Sequence, residues 1–504
     1  MRIPIVSLRS LALPAILLSA LLAACSQTRD AQADAEGPTA DSVAAEIPIT
    51  TSSEEARTLF VEARQMFESL RGIDARPLLE QAVAIDSTFA SAYLLLANTA
   101  PSPEEFFSNL ERAVANMDHA SDGERLQIEA TKAGVDGRAD EQMAMLRELV
   151  EKYPGDARAH NALAGQLFFA RQEYDAAIAE YQRAVAIDPT YSPPYNQMGY
   201  AARAAGRFDE AEQAFRKYIE VLPSEPNPYD SYAEFLMKMG RFEESIAQYR
   251  KALEVDPTFT ASDVGIAHNQ MFLGKGSEAR ATMDAMFANA ANDGIRTNAL
   301  LWKAAAWLHE GNRARALEVL EERRRISEKK SDWVTISGDD GLIGRTMLDL
   351  GDVEGAAARF ASAVVAIEKA DVPEGVKEAT RRNHIYNQAL VALAAGDLAM
   401  AKEKSAEYHA AIQGPAVPFE QRQDHELLGR IALAEGNAAE AVAHLTQANQ
   451  QDPRVLLLIA RAHEARGDAA AAADMVRQAA EFNQLSFPLS YVKGEAERMR
   501  GGAS

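Results

Sequence analysis

The chain of 504 residues is short of cysteine, of aromatic residues and of positive charge. Its one cysteine is Cys25, which fits an exported protein that neither needs nor risks disulfides. Aromatic residues make up 7% of the chain and runs of β-branched residues are scarce, which favours helix throughout. The 52 Lys and Arg residues are outnumbered by 74 Asp and Glu residues, so the formal net charge is −22. This balance argues against nucleic acid and anionic lipid surfaces as partners, since a protein that binds either one needs a basic surface.

Catalytic and metal-binding motifs are lacking as well. His425 and Glu426 begin a zinc-helix pattern, but Gly429 stands where the second histidine is needed. The chain has no Gly-x-Ser-x-Gly elbow. Asp339 and Asp340 lie between two glycines, a pattern that favours a turn. A calcium site is the disfavoured alternative, because Ca²⁺ would need about six or more oxygens at fixed spacing. The sequence therefore predicts a protein that is not an enzyme and has no cofactor and no metal site.

What the chain does have is a repeated glycine signal. Eight times a glycine closes a helical stretch and a small residue follows five positions later. The pairs are Gly206/Ala211, Gly240/Ser245, Gly274/Ala279, Gly311/Ala316, Gly351/Ala356, Gly396/Ala401, Gly436/Ala441 and Gly467/Ala472. The first three glycines are 34 residues apart, and Pro189, Pro223 and Pro257 keep the same step. A fixed period of this length predicts a solenoid of helix pairs.

The segment 158–191 indicates how one repeat is built. We expect a first helix over 159–171 and a second helix over 175–187, because apolar residues recur there at helical spacing. Gly165 and Ala177 are the predicted points of closest approach, since larger side chains would push the two axes apart. Pro189 has no backbone N–H and ends the second helix.

The same positions recur in the next two units. The unit 192–225 has Tyr195, Gly199, Ala211, Phe215 and Pro223 at positions 4, 8, 20, 24 and 32. In this order of aromatic, small, alanine, aromatic and proline residues, the chain resembles the tetratricopeptide repeat (TPR) family. The match is close over 158–259, good over 123–154 and 422–453, and weaker elsewhere. The resemblance implies an all-α fold, a right-handed superhelical solenoid of antiparallel helix pairs with about eleven or twelve units.

The N-terminus has the pattern of a targeting segment. Arg2 and Arg9 precede an apolar stretch that is short for a bilayer span and ends at Cys25. The sequence Leu-Ala-Ala-Cys at 22–25 resembles a bacterial lipobox, which implies a diacylglyceryl group on Cys25 and cleavage before it. A plain signal peptide with a cysteine near its cleavage site is the alternative. Ser26 follows the cysteine, and serine at this position resembles the outer-membrane class of bacterial lipoproteins. We therefore expect a lipid-anchored protein at the outer membrane that faces the periplasm.

These patterns divide the chain into six segments. We predict a lipoprotein signal peptide over 1–24, a lipid-anchored flexible tether over 25–52, and degenerate N-terminal repeats over 53–157. Well-formed repeats follow over 158–291, divergent repeats over 292–486, and a capping helix with a tail over 487–504. In the capping helix we expect Lys493, Arg498 and Arg500 to face water, while the helix hides the last apolar face of the solenoid.

The TPR resemblance also implies where a partner binds. In that family, positions 2, 5, 9 and 12 of each first helix line a groove. The corresponding residues of this chain are Gln166, Phe169, Asn196, Tyr200, Arg203, Asn227, Asp230, Glu234 and Met237, followed by His268 and Met271. The mixture of aromatic, amide and charged side chains is typical of a peptide-binding groove. Exposed helix surface without a ligand is the alternative for any single residue.

The predicted function is a protein–protein interaction scaffold or adaptor whose partner is an unidentified envelope protein or peptide. Recognition of a polymer such as exopolysaccharide or peptidoglycan is the alternative. A polymer site would need aromatic platforms along the groove, and Phe169 and Tyr200 are the two candidates. The carboxylate clamp of chaperone-binding TPR domains is not supported, because Ala162 and Gln166 stand where lysine and asparagine are expected.

Overall fold

The computed structural model describes residues 46–413, 418–485 and 487–502. The predicted signal peptide, the lipidation site Cys25 and the tether up to residue 45 lie outside the described residues. Within those ranges the regular structure is entirely helical. None of the helices described is both long enough and apolar enough to cross a membrane. The described chain forms two compact units that divide after Tyr232.

The first unit consists of residues 46–232. Its helices are α1 (Glu54–Glu68), α2 (Gly72–Ile85), α3 (Ala90–Asn98), α4 (Pro103–Ala115), α5 (Asp122–Val135), α6 (Ala139–Lys152), α7 (Ala157–Gln166), α8 (Tyr174–Ile187), α9 (Pro193–Ala204) and α10 (Phe208–Val221). Successive helices pack as pairs, α1 on α2 through α9 on α10. A 3₁₀ turn at 117–119 precedes α5, and a π-helical turn at 167–171 extends α7. The unit ends within α11 (Pro226–Lys238).

The second unit starts in α11 at residue 233. It continues through α12 (Phe242–Val255), α13 (Ala261–Phe272), α14 (Gly276–Ala288), α15 (Asp293–His309), α16 (Arg313–Lys329), α17 (Trp333–Asp349), α18 (Val353–Lys369), α19 (Glu374–Ala394), α20 (Leu398–Ala411), α21 (Pro418–Ala434), α22 (Ala438–Leu445), α23 (Pro453–Ala465), α24 (Ala469–Ala480) and α25 (Phe487–Gly502). Pairs from α13/α14 to α23/α24 repeat the antiparallel packing. Helix α25 lies outside this series and contacts α15, α23 and α24.

The eight predicted glycines end the first helix of their pairs. All of them have φ between 73° and 82°, as does Gly137 at 75°. In this left-handed region a side chain is strained, whereas glycine reverses the chain at little cost. Leu70 and Gln172 occupy the same conformation in the α1–α2 and α7–α8 turns. The glycine signal is therefore a turn signal, and the predicted helix pairing is confirmed.

Close helix packing explains the small residues inside the pairs. A Cβ added at Gly199 would lie 2.7 Å from the ring of Phe215, and one at Gly344 would lie 2.8 Å from the ring of Phe360. Ala177 is fully buried, as predicted. The prediction for Gly165 is wrong, because no heavy atom lies within 4 Å of its added Cβ. In this repeat the chain widens into the π-helical turn directly after α7, and the small residue is not needed there.

The structure corrects two further predictions. Asp339 and Asp340 are not in a turn but within α17, where neither side chain is exposed. Lys493 does not face water: it is 4% exposed on the inner side of α25. Arg498 and Arg500 are exposed as predicted.

Candidate functional site

The first unit contains a cavity of about 360 Å³ that is lined by the first helices of four successive pairs. Helices α1, α3, α5 and α7 contribute its walls together with Gln142 and Leu146 of α6, and the segment 47–49 closes one side. The polar lining residues include Arg64, Asn98, Gln127, Thr131 and Gln166. Because each first helix presents the same face, a ligand lying here would contact four repeats at once.

The segment before α1 lies extended along this site and is held by three carboxylates. The backbone N–H of Ile47 donates to Asp156 Oδ2 at 3.0 Å, and that of Thr50 donates to Glu124 Oε1 at 3.0 Å. The backbone N–H of Ser52 donates to Asp86 Oδ2 at 2.8 Å. These bonds recognise the main chain rather than its side chains, as in other extended-peptide sites.

The three carboxylates are fixed by the repeats themselves. Asp156 caps α7 by accepting from the backbone N–H groups of Arg158 and Ala159, at 2.9 Å each. Glu124 belongs to the capping box of α5 and also accepts from Ser91 Oγ at 2.7 Å. Asp156 and Glu124 thus help to begin first helices and also hold the extended segment, whereas Asp86 lies at the C-terminal end of α2.

Asp86 receives the most hydrogen bonds of the three. Burial alone would raise the pKa of its carboxyl, but hydrogen bonds from Thr51, Thr88 and Ser52 outweigh burial and lower the pKa. The charged form of Asp86 is thereby favoured whenever residues 51–52 are in place. Residues 46–52 belong to the predicted flexible tether, but hydrogen bonds to the repeats hold Ile47, Thr50 and Ser52, so the tether prediction is wrong for this stretch.

The packing of Ile47 adds an apolar anchor to these bonds. A Cβ added at Gly123 would lie 2.9 Å from Ile47 and 2.8 Å from the ring of Tyr153, so the isoleucine fits against a position that only glycine allows. Ile49 packs against the apolar cluster of α1–α4. Alternate side chains of an extended segment thus find sites on the repeats.

Two arginines define the electrostatics of the cavity. Arg158 donates to both oxygens of Glu68, at 2.6 and 2.9 Å, so its charge is paired. Arg64 lies with its guanidinium 5.5 Å from the centre of the Phe60 ring, and its buried Nε has no hydrogen-bond partner in the described chain. Burial lowers the pKa of Arg64, and the nearby Arg158 cation lowers it further. A buried donor without an acceptor is costly, so this N–H is a candidate contact for an acceptor group of a ligand.

Most of the groove residues predicted in the first unit lie outside this cavity. Gln166 lines the cavity. Phe169 is 65% exposed in the π-helical turn, against Phe168. The Tyr200 ring packs edge-on against Phe215, with centroids 5.2 Å apart, and the Arg203 guanidinium lies 4.9 Å from its centre.

The remaining predicted residues are more enclosed. Asn196 and Asp230 are 8% and 3% exposed. Asn227 accepts hydrogen bonds from Tyr218 and Ser231 through its Oδ1, at 3.2 and 3.3 Å. Glu234 and Met237 belong to the second unit, and Met237 has no exposed surface. Met237 is therefore corrected from a groove residue to a core residue.

The sequence pattern contained a signal for the residues that were missed. In the units that start at 56, 90 and 123, the ninth position is Arg64, Asn98 and Thr131, and the fifth position of the third unit is Gln127. All four line the cavity. Applying the groove positions to the degenerate repeats, rather than only to the best-formed ones, finds the site.

Comparison with known families identifies the repeats. Residues 165–206 match the family model described as TPR repeat, and residues 192–224 and 227–259 match the tetratricopeptide repeat model. The chain contains tetratricopeptide repeats. TPR proteins are generally non-catalytic, and these repeats support a protein–protein interaction scaffold. No curated protein matches the sequence.

Solved structures of TPR proteins resemble parts of the chain. A TPR protein from Parabacteroides merdae ATCC 43184 is 15% identical over 54% of this chain and 93% of its own, with a TM-score of 0.32. PilW, a type IV pilus biogenesis factor, is 15% identical over 49% of this chain and 100% of its own, with a TM-score of 0.31. YrrB, a TPR protein with an unusual peptide-binding site, is 18% identical over 36% of this chain and 92% of its own, with a TM-score of 0.28. Such scores carry no inference about function.

Proposed function

We propose that the protein is a non-enzymatic interaction scaffold that is lipid-anchored to the bacterial envelope and binds an extended peptide of a partner in the cavity of its first unit. The observation that carries this proposal is the segment 47–52, whose backbone N–H groups are bound by Asp86, Glu124 and Asp156. The repeats thus already hold one extended chain beside an open cavity. Phe60 is the single aromatic residue among the described lining residues, which disfavours the alternative of a polymer site built on aromatic platforms.

The chemistry of the cavity specifies the partner further. Arg64 offers a cation whose Nε lacks an acceptor, and Asn98, Gln127 and Gln166 offer amide groups that pair with a peptide main chain. A peptide that carries a carboxylate, either an acidic side chain or its own C-terminus, meets both requirements. We infer that the contact surface continues from Gln166 towards Tyr200 and Arg203.

Replacing Arg64 by methionine is expected to reduce partner binding at least tenfold while thermal stability is unchanged or higher. The substitution removes the guanidinium, whose buried Nε has no hydrogen-bond acceptor, and keeps an apolar side chain over Phe60. The folded protein therefore loses a buried donor that made no hydrogen bond. A photo-crosslinking residue at Gln166 in living cells, followed by quantification of the trapped partner, measures the binding.

Arg57→Met is the matched control on the same helix. Arg57 pairs with Glu54 at 3.3 Å on the outer face of α1 and does not line the cavity. Equal crosslinking of the same partner in wild type and Arg64→Met would contradict the cavity as the binding site. Loss of crosslinking in both variants would show that general charge, not Arg64, drives association.

Cys25→Ser is expected to move the protein from the membrane fraction to the soluble fraction and leave its helicity unchanged. Stable anchoring requires two or more acyl chains, and the substitution removes the thiol that carries the diacylglyceryl group. As the flexible tether that the sequence predicts, the 20 residues between Cys25 and Glu46 would span about 25 Å, so the repeats need no membrane contact of their own. Fractionation of cell envelopes with immunodetection measures this.

The fractionation has a clear negative outcome. A Cys25→Ser protein that stays in the membrane pellet after a high-salt wash would contradict lipid anchoring at this residue. Ser26→Asp is the companion variant: if the residue after the lipidated cysteine directs sorting, this protein stays membrane-bound but shifts to the inner-membrane fraction.

A further inference from the structure

Two histidines of the paired helices α21 and α22 face each other in the second unit. The Nδ1 atoms of His425 and His444 are 3.1 Å apart, and the ring centroids are 5.4 Å apart with the planes tilted by 33°. Both side chains are half-buried, so solvent reaches them. The two residues are 19 positions apart in sequence, and the pairing of the helices brings them together.

The same packing explains why α21 has no second histidine of its own. His425 begins a zinc-helix pattern, but Gly429 occupies the next turn of the helix, where the second histidine is needed. A Cβ added at Gly429 would lie 2.5 Å from the side chain of Leu445, which is fully buried. A histidine at position 429 would therefore clash with α22. The close approach that excludes it is also what places His444 opposite His425.

The distance between the two nitrogens suits a shared metal ion. Zn–N bonds of about 2.0–2.1 Å hold two imidazole nitrogens about 2.9 Å apart at a right angle and about 3.3 Å apart at the tetrahedral angle. The observed 3.1 Å falls between these values. A neutral imidazole has one nitrogen lone pair, so the tautomers that carry the proton on Nε2 turn two lone pairs towards each other.

A buried carboxylate beside the pair favours a cation at this place. Asp424 precedes His425, is 6% exposed and stabilises positive charge at the His425 ring. Its Oδ2 accepts from His409 Nδ1 at 2.7 Å, whereas its buried Oδ1 has no hydrogen-bond partner in the part of the chain that the structure describes. The attraction between such a carboxylate and a nearby cation is stronger than it would be in water.

We propose that His425 and His444 chelate one divalent transition-metal ion of the kind that imidazole prefers, namely Cu²⁺, Ni²⁺ or Zn²⁺. The ion replaces the hydrogen bond between the two rings with two coordinate bonds, and the Nδ1 proton moves to Nε2 of its own ring. No group of three or more histidine, cysteine or acidic side chains in the described ranges is placed to hold a metal, so water fills the remaining coordination positions. The ion ties α21 to α22, and this site does not depend on the cavity of the first unit.

The test uses Cu²⁺ alone, because imidazole sites bind it more tightly than Ni²⁺ or Zn²⁺. The parent protein is the full chain without a histidine tag and with Cys25→Ser, which removes the one thiol. Calorimetric titration is expected to show one site that is at least tenfold weaker in His425→Gln or His444→Gln. The double variant is expected to bind no more weakly than either single variant, since one imidazole cannot chelate. His119→Gln, at an exposed histidine of the first unit, is the control that keeps the parent affinity.

Pulsed electron paramagnetic resonance of the Cu²⁺-loaded protein counts the imidazoles bound to the ion. Two are expected in the parent protein and one in each single variant. A parent protein in which Cu²⁺ has one imidazole ligand or none overturns the proposal, whether or not the variants fold. Equal Cu²⁺ affinity of the parent and of folded His425→Gln and His444→Gln, judged by circular dichroism, overturns it too, because the two rings then make only a hydrogen bond to each other.

Discussion

Gly265→Ala is expected to destabilise the second unit by about 1–3 kcal/mol, the usual cost of overpacking a close core contact. A Cβ at this position would lie 2.2 Å from the ring of Tyr249, which has no exposed surface. The ring is enclosed by Ala233, Ile246 and Ile266, so it has no free space to move into. Urea unfolding followed by tryptophan fluorescence measures the effect, because all three tryptophans of the chain lie in this unit.

Gly338→Ala is the control within the same unit. Gly338 lies in α17, and no heavy atom lies within 4 Å of its added Cβ. Alanine is favoured over glycine inside a helix by about 0.5–1 kcal/mol, so the urea midpoint is expected to stay or rise. Equal midpoints for Gly265→Ala and wild type would contradict the packing of α12 against α13.

The turns of the repeats were predictable because their chemistry is local. A glycine five positions before a small residue indicates the end of one helix and the close packing of the next. The eight glycines have the left-handed φ values that such a turn requires. Gly165 marks the limit of the pattern. It holds the same repeat position as Gly199, but whether a small residue is needed depends on how closely the partner helix approaches, and α7 diverges into a π-helical turn.

The two ends of the described chain were harder to predict because their contacts are distant in sequence. Ile47 binds Asp156 across 109 positions, and nothing periodic links the two residues. The polar composition of residues 26–52, with few apolar residues before Ile47, favoured a flexible tether. Similarly, the charge of Lys493 predicted exposure, since a lysine is seldom buried unless hydrogen-bond acceptors and aromatic faces surround it.

The pair Asp339–Asp340 was mispredicted for a related reason. Glycines on both sides favour a turn locally. The preceding helix α16, however, supplies Arg323 and Arg324, which form ion pairs with Asp339 and Asp340, respectively. Burial lowers the pKa of Arg323 to about 10, still far above neutral pH, so the guanidinium stays charged. Tertiary charge pairing thus overrides the local turn preference and keeps α17 continuous.

Asp340→Ala is accordingly expected to destabilise the second unit by about 1.5–3 kcal/mol, the usual cost of losing hydrogen bonds to a charged group, because Arg324 and Arg359 keep Glu328 and Glu321 as partners. Asp340 is fully buried and accepts from Arg324 Nε at 2.7 Å, Arg359 Nη1 at 3.0 Å and Ser362 Oγ at 2.7 Å. The carboxylate thereby joins α16, α17 and α18, and its loss is expected to raise amide hydrogen exchange in all three helices. Hydrogen exchange with mass spectrometry, together with urea unfolding, measures both effects.

Glu328→Ala provides the comparison that separates a buried charge from an exposed one. Glu328 pairs with the same Arg324, but its side chain is 46% exposed, so its removal is expected to cost less than about 1 kcal/mol. If both variants unfold at the same urea concentration, Asp340 does not stabilise the packing of α16, α17 and α18 more than an exposed ion pair does. If Asp340→Ala instead raises the midpoint, the arginines find water or Glu321 as partners and the buried network is dispensable, since Glu321 already pairs with Arg359.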